Sequence, residues 1–370
     1  MLYHKSFAHL QTLYPIMIGE KFYADTDLLA PYIAGHQVLI VTQENISRHY
    51  LTPLTQALSN YQCDVHILQD GEQHKTLTQW QTIIEKLLSC RHERSTTLIA
   101  LGGGMIGDMT GFAAACYQRG VNYLQMPTTL IGQVDAALGG KTAINFPQGK
   151  NMLGAFYQPR GVIIDIHFLA TLPQREYIAG LAEVIKYALI WDKNFFVWLE
   201  NNFQNLLARD TAALLHAIQT SVAIKTTIVS QDEKENGIRS LLNFGHTVGH
   251  ALEAALDFKK ILHGEAVAVG MSIASQLSNA CGYLSDKDLQ RILNLINPLG
   301  MQSYDFDFPS ASQLMQFMSH DKKISAGKIN FIILKGIGNA EKTTAISAEQ
   351  IKNFLVRIKK GEQCSPLETS

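Results

Sequence analysis

Five short apolar runs, at residues 36–42, 64–69, 96–101, 121–126 and 161–166, set the limits on what this chain can fold into. They are rich in β-branched side chains, and segments with helical spacing, such as Gln79 to Leu88, lie between them. Strands that alternate with helices predict a parallel sheet, because parallel neighbours need a crossover and that crossover is right-handed. After Leu172-Pro173 the texture changes. Residues 177–191, 194–207, 212–230, 242–256, 265–279 and 286–295 carry apolar side chains at period 3.6, and strand-like runs nearly vanish, with Lys328 to Leu334 as a late exception. The expected architecture is an α/β parallel-sheet domain over residues 1–172 followed by a mainly helical, all-α C-terminal domain over residues 173–370. A chain of 370 residues exceeds one ordinary core, and its 46% hydrophobic content suffices for two.

A formal net charge of −1 gives no global field to draw nucleic acid or an acidic membrane surface. The five cysteines are scattered and form no CxxC pair, which argues against a disulfide framework and for a reducing compartment. The N-terminus lacks the charged and apolar regions of a signal peptide, and no run of about 18 apolar residues occurs, so a soluble, cytoplasmic protein is expected. The C-terminal Gly361 to Ser370 lacks periodicity and reads as a frayed tail.

Leu101-Gly102-Gly103-Gly104-Met-Ile-Gly107-Asp108 follows a predicted strand and opens a helix. Glycines at 102, 104 and 107 satisfy GxGxxG, which lets helix N-terminal amides approach a pyrophosphate. A tight turn after a buried strand is the plain alternative. About 20 residues on, where a dinucleotide fold places an acidic residue for the ribose, stands Asn122-Tyr-Leu-Gln-Met-Pro. Thr42-Gln43-Glu44-Asn45 and Asp70-Gly71-Glu72-Gln73-His74-Lys75, each at a predicted strand end, could supply those contacts instead.

Arg239-Ser-Leu-Leu-Asn243-Phe-Gly-His246-Thr-Val-Gly-His250 and Leu262-His263-Gly264-Glu265 gather three histidines. His246 and His250 lie four apart, on one helix face. Gly245 and Gly249 weaken that helix by roughly 1 kcal/mol each, which points to a need for close backbone approach or ligand access. Upstream, Glu183 and Lys186 sit three apart among Leu181, Ala182, Val184 and Ile185, so a surface ion pair is the less fitting reading. Spacing alone suggests a metal site from Glu183, His263 and one or both of His246 and His250. Arg119, Lys141, Lys150, Lys186, Lys225, Arg239 and Lys322-Lys323 recur beside these motifs in a chain without net positive charge, which points to an anionic substrate.

Gly102-Gly-Gly-Met-Ile-Gly-Asp108, Pro127-Thr-Thr-Leu-Ile-Gly-Gln-Val-Asp135, Gly139-Gly-Lys-Thr, Gly149-Lys-Asn-Met-Leu-Gly-Ala-Phe-Tyr-Gln-Pro159, Leu181-Ala-Glu-Val-Ile-Lys186 and the histidine block together resemble 3-dehydroquinate synthase, a sugar phosphate cyclase of the shikimate pathway. The resemblance runs from about residue 40 to 330. It implies a Rossmann-like N-terminal domain, a helical C-terminal domain, a bound NAD, one divalent metal (zinc or cobalt) and a homodimer. It implies a lyase that converts 3-deoxy-D-arabino-heptulosonate 7-phosphate to 3-dehydroquinate and phosphate, on the route to chorismate and the aromatic amino acids. Transient oxidation by NAD, β-elimination, reduction and intramolecular aldol closure make up the reaction.

Carried over by position, the resemblance implies Glu183, His246 and His263 as metal ligands, with His250 handling protons. Lys141, Asp135 and Glu235 join His250 as catalytic groups. Substrate contacts would come from Arg119, Lys141, Asn151, Lys186, Lys225, Arg239, Asn243 and one of Lys322 and Lys323, with Arg119 reaching the neighbouring subunit's site. NAD contacts would come from Asn45, Glu72, Lys75, Gly103, Gly104, Asp108, Thr128, Thr129, Lys141, Lys150, Phe168, Thr171 and Glu176. Gln43 stands where family members often carry Asp or Asn. A cyclase acting on sedoheptulose 7-phosphate and a metal-dependent polyol dehydrogenase of the same fold are the rival readings.

Overall fold

A computed structural model describes residues 3–8, 13–235, 237–299, 308–320, 324–325 and 328–360. Lys322, Lys323 and the tail from Gly361 lie outside the described residues. The chain divides into two compact units, Met1–Pro173 with Leu214–Ser230, and Gln174–Ala213 with Gln231–Ser370.

The first unit is built on a seven-stranded sheet. Its strands are β1 (Tyr3–Ala8), β2 (Leu13–Gly19), β3 (Gln37–Gln43), β4 (Gln62–Leu68), β5 (Thr97–Gly102), β6 (Asn122–Pro127) and, after a separate hairpin of β7 (Lys141–Phe146) and β8 (Gly149–Phe156), β9 (Gly161–Asp165). The order is β1-β2-β9-β6-β5-β3-β4, and every neighbouring pair is parallel except the β1–β2 hairpin. Six parallel strands match the α/β expectation. Helices α1 (Thr26–Leu29), α2 (Glu44–Ala57), α3 (Leu77–Ser89) and α4 (Gly104–Cys116) make up the connections.

Both faces of the central strands are covered. On β3, Val38 and Ile40 enter one core with Tyr50 and Leu54 of α2, while Leu39 and Val41 enter the other with Ile83 of α3 and Met109 of α4. That alternation is the period of two expected for a strand, and coverage of both faces explains why β3, β5 and β9 are buried throughout and apolar at their centres. The chain runs from β3 outward to β4, then crosses to the other side of β3 as β5. The order of strand addition therefore reverses between β3 and β5, the kind of position where ligands gather at the carboxyl ends of strands in open α/β sheets.

Asp165 ends β9 and is fully buried. Its carboxylate accepts from the amides of Lys21 (2.8 Å), Phe22 (2.7 Å), Tyr23 (3.0 Å) and His167 (2.9 Å). Asp165→Ala strands these donors, at about 1–3 kcal/mol for each that is left buried and unpaired. A clear fall in the urea midpoint is expected; an unchanged midpoint would refute this anchoring role.

The second unit holds α5 (Gln174–Trp191), α6 (Lys193–Leu207), the start of α7 (Thr211–Gln231), α8 (His246–Ala255), α9 (His263–Ala280), α10 (Asp286–Ile296), α11 (Ala311–His320) and α12 (Ala348–Lys360). Two small antiparallel pairs, β10 (Ile324–Ser325) with β11 (Lys328–Ile329) and β12 (Phe331–Leu334) with β13 (Ala340–Thr343), qualify its all-α character. The late apolar run from Lys328 supplies strands on both sides of Asn330.

Helix α7 departs from the sequence reading twice. Its body, Leu214–Ser230, groups with the first unit rather than with the helical half. It is also long and apolar enough to cross a membrane by length and composition, with mean hydropathy 1.3 over 18 residues, although 61% of that window is buried within the fold. A core helix satisfies the same test, and Lys225 within it is buried and ion-paired with Asp135 at 2.8 Å.

Candidate metal centre and active site

Glu183, His246 and His263 arrive from three different helices of the second unit, and glycines let those helices touch. A Cβ at Gly264 would sit 2.0 Å from the Ala179 carbonyl oxygen of α5, and one at Gly270 would sit 1.9 Å from the Gly245 oxygen. Only bare backbone can approach so closely. Gly245 itself adopts φ +79, a left-handed conformation suited to glycine, and starts α8 directly before His246. The glycine cost noted in the sequence thus goes into contact between α8 and α9. The start of α9 is fixed by Glu265, whose carboxylate accepts from the Leu262 amide (2.8 Å) and from Arg175 Nε (2.6 Å) and Nη2 (2.8 Å). A carboxylate in the first turn also complements the helix dipole.

The resulting geometry is compact. Glu183 is 1% exposed, and its Oε1 lies 3.6 Å from Nε2 of both His246 and His263. Ligand atoms of the three residues fall within 4.8 Å of one another. Lys186 is equally buried and ion-pairs with Oε2, yet neither Glu183 oxygen receives a hydrogen bond of sound geometry. A buried carboxylate in that state fits a cation, and the donor set of two imidazoles and one carboxylate is that of a catalytic divalent-metal site. The ring of His250 lies 5.3 Å from that of His246 and 5.8 Å from that of His263, centroid to centroid.

Glu253 is a residue that the sequence reading passes over. Its Oε2 stands 3.1 Å from His263 Nδ1. The signal available was a charged residue seven positions after His246, two helical turns along the face that also carries His250.

The positions that the resemblance implies for substrate and catalysis fall in separate groups. Asn243 Nδ2 donates to Glu235 Oε1 at 2.5 Å. Arg239, 2% exposed, donates from its guanidinium to the Glu233 carbonyl, while its amide donates to Asp232 Oδ2 at 3.0 Å. In the first unit, Asp135 lies on a π-helical turn, Gly132–Ala136, where its Oδ1 (2.8 Å) and carbonyl (2.5 Å) accept from Lys225 Nζ. Lys141 opens β7 and is exposed, and Arg119 is exposed with φ +66.

At the carboxyl end of the sheet, Gln43 and Asn45 both donate to Asp70, at 2.6 and 3.2 Å, tying the ends of β3 and β4. The strand, glycine loop and helix follow in the order the sequence predicts: β5 ends at Gly102, and α4 starts at Gly104 with no side-chain cap on its amides. Thr128 donates its amide to the Gly102 carbonyl (3.0 Å), and its fully buried hydroxyl lacks a partner. Uncapped amides beside a partnerless hydroxyl fit a nucleotide's pyrophosphate. Lys75 Nζ bridges Asp108 Oδ2 (2.5 Å) and Asn151 Oδ1 (2.6 Å), and Asn145 joins Glu72 to the same network (2.8 Å). Burial opposes the charge on Lys75, but Asp108 and Glu72 outweigh it and hold the pKa above the usual lysine value. Thr129 accepts from the Gly132 amide, Lys150 is half-buried on β8, and Phe168 and Thr171 both meet the hydroxyl of Tyr50. Glu176 lies in the second unit, exposed in the first turn of α5.

Profiles of "3-dehydroquinate synthase N-terminal" and "3-dehydroquinate synthase C-terminal" match residues 65–179 and 180–324. The 3-dehydroquinate synthase of Teredinibacter turnerae is 50% identical over 343 residues, 92% of this chain and 95% of that protein. The chain belongs to the 3-dehydroquinate synthase family. The 3-dehydroquinate synthase of Coxiella burnetii is 48% identical over the same share of each chain. Among solved structures, 2-epi-5-epi-valiolone synthase from Streptomyces hygroscopicus, with NAD+ and Zn2+ bound, superposes with TM-score 0.86 at 27% identity, covering 96% of this chain and 99% of that one. A 2-deoxy-scyllo-inosose synthase complexed with carbaglucose-6-phosphate, NAD+ and Co2+ gives TM-score 0.86 at 25% identity over the same shares. An iron-containing alcohol dehydrogenase, at TM-score 0.64 and 14% identity, shares the fold alone.

Proposed function

We propose that this chain is a 3-dehydroquinate synthase, a carbon–oxygen lyase that releases phosphate from 3-deoxy-D-arabino-heptulosonate 7-phosphate and closes the ring to 3-dehydroquinate. The observation that carries the reading is the buried Glu183 carboxylate facing two imidazoles at 3.6 Å, in a chain matched over 92% of its length by a 3-dehydroquinate synthase. Residues 1–172 hold NAD through Asn45, Glu72, Lys75, Gly103, Gly104, Asp108, Thr128, Thr129, Lys141, Lys150, Phe168 and Thr171, with Glu176 added from the helical part. Residues 173–370 hold zinc or cobalt through Glu183, His246 and His263. When bound, the metal supplies a Lewis acid for the substrate hydroxyl and NAD supplies a reversible hydride acceptor.

The chain's own groups bind and orient. Arg239 and Lys186 are cations in desolvated surroundings, suited to the carboxylate and the oxygens of an anionic sugar acid. Lys141, Asn151 and Arg119 take the phosphate, Lys225 with Asp135 and Asn243 with Glu235 fix the remaining polar contacts, and His250 moves the hydroxyl proton. His250→Ala should retain the metal and lose roughly 10²–10⁴-fold in rate, the span of an acid/base group. Loss of metal in that variant would make His250 a ligand instead. Phosphate release assayed on the sugar acid and on sedoheptulose 7-phosphate, with catalytic NAD, tests the whole reading: turnover of the second substrate alone, or net accumulation of NADH, overturns it.

The enzyme is a cytoplasmic homodimer in this reading. The described cysteines are free thiols, in keeping with a reducing compartment. Phe146, Met152, Leu153 and Phe156 lie exposed on the β7–β8 hairpin, apolar surface that a second copy would cover, and exposed Arg119 would serve the neighbouring subunit's site. Sedimentation at the monomer mass across working concentrations would refute the dimer.

A further inference from the structure

We infer that Glu253 is the positioning residue of the metal centre, the group that decides which nitrogen of His263 is offered to the cation. The inference rests on Glu183, His246 and His263 being the ligand set. An ionised carboxylate only accepts hydrogen bonds. With Glu253 Oε2 at 3.1 Å from His263 Nδ1, the inference assigns the ring proton to Nδ1 and the lone pair to Nε2. Nε2 is the atom turned to Glu183 Oε1, at 3.6 Å.

His246 is set by the same logic with a different partner. The Phe244 carbonyl, also acceptor only, stands 3.1 Å from its Nδ1 and leaves Nε2 facing Glu183. That acceptor is neutral and comes with the backbone. His263 is instead oriented by a charged side chain, 3% exposed, on the neighbouring helix. One helix, α8, therefore contributes both a ligand and the support for the ligand that α9 brings. A carboxylate behind an imidazole also raises its basicity as a metal ligand.

His250, Glu253 and His263 form a second group with ligand spacing. His263 has one ring, and its Nδ1 proton points at Glu253, so the two groups compete for the same imidazole. The oxygens of Glu183, buried and without hydrogen bonds, decide in favour of the first. Glu253 then serves as a hydrogen-bond acceptor and not as a ligand.

The test uses full-length protein stripped of metal, with Zn2+ titrated against a chromogenic chelator. Glu253→Ala should bind Zn2+ about 10- to 100-fold more weakly than the parent, the usual effect of losing a partner behind a ligand. Glu253→Gln, whose amide oxygen can still accept from Nδ1–H, should recover most of the affinity. Co2+-loaded Glu253→Gln should keep the parent's visible absorption bands, because no ligand atom has changed. Unaltered Zn2+ affinity in Glu253→Ala overturns the inference, as does a changed Co2+ spectrum in Glu253→Gln, which would make Glu253 a ligand. Melting of the metal-free proteins reads structure separately: an affinity loss that Gln does not rescue, matched by an equal loss of stability, also overturns it. If the parent binds no Zn2+, the ligand set itself fails; if Glu183→Ala loses Zn2+ while Glu253→Ala does not, only the role of Glu253 fails.

Discussion

Glu183→Ala is expected to abolish metal-dependent turnover and to leave the purified protein without a stoichiometric divalent cation. The carboxylate is the anionic member of the set, so its loss removes both a ligand and the charge that favours a cation over the adjacent ammonium. Lys186, 1% exposed, then loses its ion pair with Glu183. Breaking such a pair from one side destabilises by about 3–5 kcal/mol, so a fall in melting temperature should accompany the loss of activity. Glu183→Gln keeps the volume and separates the two effects. Metal analysis and phosphate release on both variants provide the check, and parent-like activity in either, or in the parent after exhaustive chelation, would sink the metal-centre reading.

Gly270→Ala should be nearly as damaging although it touches no ligand. The three nearest atoms to its new Cβ are all backbone: the Gly245 oxygen at 1.9 Å, the Gly245 carbonyl carbon at 2.8 Å and the Gly249 nitrogen at 3.1 Å. No rotamer change can relieve them, so α8 must move off α9. Overpacking of this kind costs about 1–3 kcal/mol and occasionally more. His246 moves with α8 while His263 stays with α9, and the shared distance to Glu183 is lost. Lowered melting temperature together with weakened Zn2+ binding is the expected result, read by calorimetry and chelator competition. Gly282→Ala, at φ +76 with nothing within 4 Å of the new Cβ, strains only the local backbone and should leave Zn2+ binding intact. Parent-like Zn2+ affinity in Gly270→Ala would show that the helix contact does not set the centre.

The parallel sheet was legible because strands covered on both faces are buried along their whole length, as β3, β5 and β9 are, and so carry central apolar runs such as Val38 to Val41, Leu98 to Leu101 and Val162 to Ile164. The β1–β2 hairpin was not. His4, Lys5 and Ser6 break any apolar run, and an edge strand needs none. Likewise β7 and β8 mix lysine, asparagine and glycine, so they read as site motifs before they read as strands. Periodicity found α7 but could not say which core it joins, because an apolar face carries no address. Spacing made His246 and His250 equal candidates. The residues that orient a ring, Phe244 through its carbonyl and Glu253 through its carboxylate, act across turns and helices that spacing does not join.

The body of α7 belongs to the first unit while the chain on either side of it belongs to the second, so the polypeptide passes between the units three times, near residues 173, 213 and 230. No single cut can therefore divide this protein into two self-sufficient pieces. A fragment ending at Pro173 would leave Asp135 without Lys225 and bare the surface that α7 covers. The remainder would carry the apolar body of that 21-residue helix without the unit it groups with. Exchange of contiguous halves between relatives should thus fail, whereas exchange that keeps residues 214–230 with the N-terminal partner should fold.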